Sequence, residues 1–222
     1  TVSDLLDDPD VAALISISRD VTEHRRDRQR LAHRAMHDPL TGLINREELQ
    51  ERLRDSLARV PAEPLTVLFL DLDGFKRVND EHGHLAGDQL LQEVTARLAR
   101  EVREEDAIAR PGGDEFVVVL CGATLAVGLD IADRIRRRLR DPILVPSVAD
   151  PVQISVSIGV AVARPMHTVT SLLHDADLAL YEAKRRGRDR VEVSTESFGP
   201  EREVVEELLE EVARQADDPP DP

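Results

Sequence analysis

The residues best equipped for chemistry are four carboxylates in two clusters. Asp71 and Asp73 close the apolar run Val67-Leu68-Phe69-Leu70 as an Asp-x-Asp, and Asp114 and Glu115 follow two adjacent glycines in Arg110-Pro111-Gly112-Gly113-Asp114-Glu115-Phe116. Adjacent glycines suit a tight hairpin bend, because they supply φ > 0 and leave no side chain where another group must come close. Small backbone followed by paired acid suits a polyphosphate with its metal. Mg²⁺, or the similar Mn²⁺, is a hard ion that prefers one or two carboxylates plus phosphate oxygens. Taken alone, the Gly-Gly-Asp is an ordinary turn and Asp73 an ordinary helix cap. Together, the two clusters account for each other.

The elements that must position them are legible from periodicity. The run ending at Asp71 does not alternate with polar residues, so both its faces should be buried and the strand central. The bend lies between strand-like runs Asp106 to Ala109 and Phe116 to Cys121. Helices are expected over residues 46–59 (Leu49, Leu53 and Leu57 inward), within 74–83, over 85–102, over 124–139 with Arg134, Arg136, Arg137 and Arg138 on its outer side, and over 170–186. A strand is expected over 152–163, where Gly159 marks a bulge or a close approach, and a last one near Val191-Glu192-Val193. The fold class implied is α/β, an α+β sandwich with a central, mostly antiparallel sheet flanked by helices.

The chain has 222 residues and is 41% hydrophobic, enough for one domain with extensions, and with 2% aromatic residues its core must be aliphatic. Its formal charge of −15 argues against nucleic acid as a partner. That charge is uneven, since residues 196–222 hold ten Asp or Glu against two Arg. Cys121 is the single cysteine, so no internal disulfide can form and a reducing, cytoplasmic setting fits. The histidines lack metal-ligand spacing, and no apolar run is long enough to span a bilayer. The first residue is Thr1 rather than Met, which points to a piece of a longer parent, itself free to associate with a membrane.

Four motifs in order extend the resemblance beyond the acids. They are Asp38-x-Leu40-Thr41-Gly42-Leu43-x-Asn45-Arg46; Asp71-x-Asp73-x-Phe75-Lys76-x-x-Asn79-Asp80-x-x-Gly83-His84-x-x-Gly87-Asp88; Arg110-x-Gly112-Gly113-Asp114-Glu115-Phe116; and Ala183-Lys184-x-x-Gly187-Arg188. With them the chain resembles the GGDEF domains, which are diguanylate cyclases, with a fold similar to nucleotidyl cyclase and polymerase palm domains. The resemblance implies condensation of two GTP into cyclic di-GMP with release of two pyrophosphates, at the interface of a homodimer.

By that match Asp71 and Asp114 are metal ligands with the Leu72 carbonyl assisting, and Glu115 is either a further ligand or the group that helps deprotonate the attacking hydroxyl. Lys184 and Arg188, four apart at a helix end and so on one face, neutralise the triphosphate with Lys76 nearby. Asn79 and Asp88 read guanine, beside Phe75 and the small Gly112 and Gly113. Arg103 and Asp106 fit the Arg-x-x-Asp of a product-inhibition site, which Arg134 of the next helix completes. The implied domains are residues 1–20 as the end of an upstream PAS-like domain, 21–37 as a signalling helix, 38–196 as the catalytic domain and 197–222 as an acidic helical tail. Two other classes compete: a catalytically silent module that binds GTP or cyclic di-GMP as a receptor, and a dimerising adapter in which the helix from Val21 matters most.

Overall fold

The computed structural model describes residues 2–4, 14–16 and 36–194. The expected signalling helix, up to residue 35, and the acidic tail helix lie outside them. Two units are distinguished, residues 1–35 and residues 36–222. In the first, β1 (Val2–Asp4) pairs antiparallel with β2 (Leu14–Ser16), so the strand expected without a partner over residues 11–18 has one. Three residues are too few to show a period, which is why β1 was invisible in the sequence.

In the second unit the order is α1 (Arg46–Leu57), β3 (Leu65–Asp73), α2 (Phe75–His82), α3 (His84–Leu98), β4 (Ala107–Gly112), β5 (Glu115–Cys121), α4 (Leu125–Arg140), β6 (Ser155–Val162), α5 (Val169–Arg185) and β7 (Val191–Val193). The five strands of this unit lie in the order β4-β5-β3-β6-β7, antiparallel except for the β6–β7 pair. β3 is central, as its unbroken apolar run requires.

Alternation along β3 divides the core. Leu68, Leu70 and Leu72 face α3 and α4 with Phe116, Val118, Val156 and Ile158. Leu65 and Val67 face α1 and α5 with Val117, Val119 and Ala161. The sheet is therefore covered on both sides. At Gly159 of β6, a Cβ would collide with the backbone of α5 at the Ala176 carbonyl and the Leu180 nitrogen, so this glycine marks a close approach and not a bulge. β6 is shorter at its start than expected because Val152 exchanges two backbone hydrogen bonds with Ile143 instead of joining the sheet. Among the described residues no helix is long and apolar enough to cross a membrane.

Candidate active site

Asp71 and Asp73 continue the face of β3 that points toward α5, two and four residues beyond Phe69. In the sheet Asp71 stands opposite Glu115 of β5 and Ser157 of β6, and Asp73 opposite Ser155. The Leu72 N–H donates to the Asp114 carbonyl at 3.3 Å, so the hairpin carrying Asp114 is seated directly on the end of β3. The bend is a two-residue connection, Gly113-Asp114, between the paired Gly112 and Glu115, with Gly113 at φ 57°. That left-handed conformation is the reason for glycine here.

A single guanidinium braces the bend. Arg110 donates to the Gly113 carbonyl from Nε at 3.0 Å and Nη2 at 2.7 Å, and to Asp38 Oδ1 from Nη1 at 2.9 Å. Asp38 also accepts from the Thr41 N–H and hydroxyl at 2.9 and 2.6 Å. Burial raises the Asp38 carboxyl, but these Thr41 and Arg110 bonds outweigh it and hold the group below the usual carboxylate range. The structural task of the Asp38-x-Leu40-Thr41 motif is thus to hold Arg110.

The cations come from the end of α5. Lys184 Nζ lies 2.7 Å from Asp71 Oδ2. Arg188 is not on the helix, contrary to the four-residue spacing argument: α5 ends at Arg185, and Gly187 opens a turn in which the Arg188 N–H donates to the Ala183 carbonyl at 3.0 Å. The turn nevertheless returns Arg188 to the site, with Nε 3.8 Å from Asp73 Oδ1. Asp73 itself is a clamp. It accepts from the Ser155 and Ser157 hydroxyls, each at 2.9 Å, and from the Asp189 N–H at 3.1 Å. It does not cap α2, whose N-cap is Gly74 without a side-chain bond.

Negative charge is concentrated here. Burial is the main reason the Asp71 carboxyl lies above its ordinary range; Lys184 pulls it down, and Asp114 and Asp73 push it up again. Glu115 is raised by burial, then by Asp71, Asp114 and Asp177, against Lys184. Such a cluster is relieved by a divalent cation, and its hard oxygen donors suit Mg²⁺. No three His, Cys, Asp or Glu side chains form a ready cage among the described residues.

The base-reading candidates follow without a break in the chain. Phe75, Lys76 and Asn79 lie on α2 and Asp88 in the first turns of α3. Phe75 packs against the core, Asn79 is half-buried, and Lys76 and Asp88 are exposed. Gly87 makes room for Asn79, since a Cβ there would fall on its amide oxygen and within 2.9 Å of Cγ. The sequence motif contained Gly87 without giving its reason.

Away from this cluster, the Arg103 N–H donates to Asp106 Oδ2 at 3.0 Å, and Oδ1 accepts from the Cys121 N–H at 3.2 Å. Both residues border a cavity of about 290 Å³ with His37, Leu43, Arg52 and Ile108. Arg134 binds Glu101, through its carbonyl at 2.8 Å and its carboxylate at 3.2 Å. The structure thus gathers Arg103 and Asp106 and places Arg134 on a neighbouring residue of the same loop. One expected surface residue is internal: Arg136 is 7% exposed.

Residues 35–190 match the family described as "Diguanylate cyclase, GGDEF domain". Diguanylate cyclase TpbB of Pseudomonas aeruginosa is 47% identical over 165 residues, which cover 71% of this chain and 37% of that protein. Cyclic di-GMP phosphodiesterase PdeR of Escherichia coli is 38% identical over 184 residues, covering 82% of this chain and 27% of PdeR. The chain therefore spans well under half the length of these curated relatives. Among solved structures, the coiled coil and GGDEF domain of DgcB from Caulobacter crescentus, in complex with c-di-GMP, superposes with a TM-score of 0.73 at 29% identity, covering 78% of this chain and 93% of that one. The motif match, the sheet order and the acid–lysine cluster at the hairpin bend have one common reading: this chain belongs to the diguanylate cyclase GGDEF domain family.

Proposed function

We propose that residues 38–196 form a diguanylate cyclase domain that condenses two GTP into cyclic di-GMP. The observation that carries this reading is the convergence of Asp71, Asp114 and Glu115 at the end of the central strand, faced by Lys184. In each of two steps a ribose 3′ oxygen attacks the α-phosphorus of the other nucleotide, the bond to the β-phosphate oxygen breaks, and pyrophosphate leaves. Catalysis of such an in-line displacement is mostly positioning and charge neutralisation.

Asp71, Asp114 and the Leu72 carbonyl would hold a Mg²⁺ or Mn²⁺ ion, which would supply charge neutralisation for the displacement. Glu115, its carboxyl raised by burial and neighbouring charge, takes the proton of the attacking hydroxyl. Lys184, Arg188 and Lys76 bind the triphosphate, with Gly112 and Gly113 leaving room for it. The Asn79 amide faces guanine O6 and N7, and the Asp88 carboxylate accepts from the N1 and N2 hydrogens that adenine lacks. Because each chain holds one GTP, the active species is a homodimer formed in the cytoplasm under control of the PAS-like end and helix upstream. Cyclic di-GMP binds back at Arg103 and Asp106, with Arg134 within the same loop's reach.

A second reading, a silent receptor for GTP or cyclic di-GMP, is kept open by the phosphodiesterase name of a 38% identical relative. Incubation with GTP and Mg²⁺ followed by chromatography separates the two. Cyclic di-GMP, formed at a specific rate that rises with protein concentration, supports the cyclase; GTP binding without turnover selects the receptor. Asp114→Asn is expected to lose turnover by more than about a hundredfold with an unchanged far-UV spectrum, in line with the loss of a main charge-stabilising group. Retained activity would remove Asp114 from the metal site.

A further inference from the structure

The turn after α5 combines an unfavourable backbone with a side chain paired to two arginines. Arg188 and Asp189 are consecutive non-glycine residues at positive φ, 65° and 47°. L-residues in this region persist only where surrounding contacts over-determine them. Here the contacts converge on Asp189. Its N–H donates to Asp73 Oδ2 at 3.1 Å, its Oδ2 lies 3.1 Å from Arg140 Nε, and its carbonyl and Oδ1 each accept from Arg136 Nη1 at 3.5 Å.

Arg136 is the less expected partner, because it projects from the buried side of α4. Its side chain is 9% exposed, and Nε and Nη2 are fixed on Asp133 Oδ1 at 3.0 and 2.8 Å. Asp133 is balanced in turn by Arg137 at 2.9 Å. With two nitrogens held by its own helix, the guanidinium has its third, Nη1, directed at Asp189. Burying a charged fork is costly, and an apolar residue would fill this space with less penalty. What the fork contributes is a fixed geometry for the turn, and the residue adjoining Asp189 in that turn is Arg188.

We infer that Arg136 is a positioning residue: together with Asp73 it locks Asp189, and through Asp189 it sets the backbone from which the Arg188 guanidinium meets the β- and γ-phosphates of the nucleotide. This rests on the reading that GTP binds at the Asp71–Lys184 cluster. It assigns Asp73 to the same clamp and not to the metal.

The test compares binding of the non-reacting α,β-methylene analogue of GTP with binding of GMP, which lacks the two terminal phosphates, in the presence of Mg²⁺. Arg136→Met is expected to weaken the triphosphate about tenfold, the worth of one charge-assisted hydrogen bond, and to leave GMP unchanged. In an Arg188→Ala background the same substitution is expected to cause no further loss, because its effect passes through Arg188. Equal losses for both nucleotides, or losses that multiply in the double variant, would overturn the inference by assigning Arg136 a merely structural role.

Should Arg136→Met fail to give a cooperative melt, Asp189→Asn serves instead. Asn keeps the tolerance for the left-handed backbone and removes only the charge that Arg136 and Arg140 grip. A smaller loss confined to the triphosphate is then expected, and no loss overturns the clamp. If the parent protein binds the analogue but makes no cyclic di-GMP, the cyclase proposal fails while the comparison of variants still decides the clamp; if it binds neither nucleotide, both fall.

Discussion

Substituting Gly87 by alanine should separate guanine recognition from stability. Gly87 is buried in the first turns of α3 and has no left-handed backbone to lose, so alanine gains about 1 kcal/mol of helix propensity. The new Cβ would land on the Asn79 amide oxygen and within 2.9 Å of Cγ. Those atoms are the end of a rotatable side chain, which can move aside at about 0.5–1.5 kcal/mol for an unfavourable rotamer. The two effects nearly cancel, so the melting temperature should stay within a few degrees of the parent's.

Recognition has no such compensation. An amide turned away forfeits the hydrogen bonds to the base proposed for it, each worth about 0.5–1.5 kcal/mol, or up to roughly tenfold in affinity. Calorimetric titration with a non-reacting GTP analogue, alongside thermal melting, reads both quantities. Unchanged affinity with a large loss of stability would refute the reasoning, by showing that Asn79 supports the fold and does not read the base.

Gly159→Ala should do the opposite, because its Cβ would strike backbone of α5 at Ala176 and Leu180, which cannot rotate away; a loss of about 3 kcal/mol or more is expected by chemical denaturation, the upper end for overpacking. Glu115→Gln should raise stability at neutral pH while losing turnover. The sign follows from Asp71 and Glu115, whose raised carboxyls bind protons more tightly in the folded chain than in the unfolded one, so the parent should lose stability as pH rises from the ordinary carboxylate range through their folded values. The substitution should flatten that slope; Asp38, whose carboxyl is lowered, acts in the opposite sense as acid is added below the ordinary range. Arg103→Ala should relieve inhibition by cyclic di-GMP, and an unchanged inhibition curve in a turnover assay would dissociate Arg103 and Asp106 from the product.

Much of this site was legible in one dimension. A strand has a period of two, so Asp71 and Asp73 had to share a face; that Glu115 stands beside Asp71 follows from the pairing of β5 with β3, which the bend alone does not dictate. What the sequence hid were pairings between distant or like-looking groups. Four arginines near the end of α4 read as one solvated side, yet Arg136 turns inward because Asp133, one helical turn earlier, and Asp189, far along the chain, are there to receive it. The four-residue spacing of Lys184 and Arg188 implies a shared helix face only while the helix continues, and it stops at Arg185, just short of the 170–186 expected, so a turn and not the helix brings Arg188 back. Asp73 looked like a second site acid or a cap, and only strand register reveals the two serines that claim it.

The fork of Arg110 has a mechanical consequence. One planar group grips the entrance to the domain at Asp38 and the floor of the bend at Gly113, so the two are wired in series through a part that cannot stretch. The peptide that leads from Gly113 into Asp114 is therefore held by the same side chain that holds Asp38.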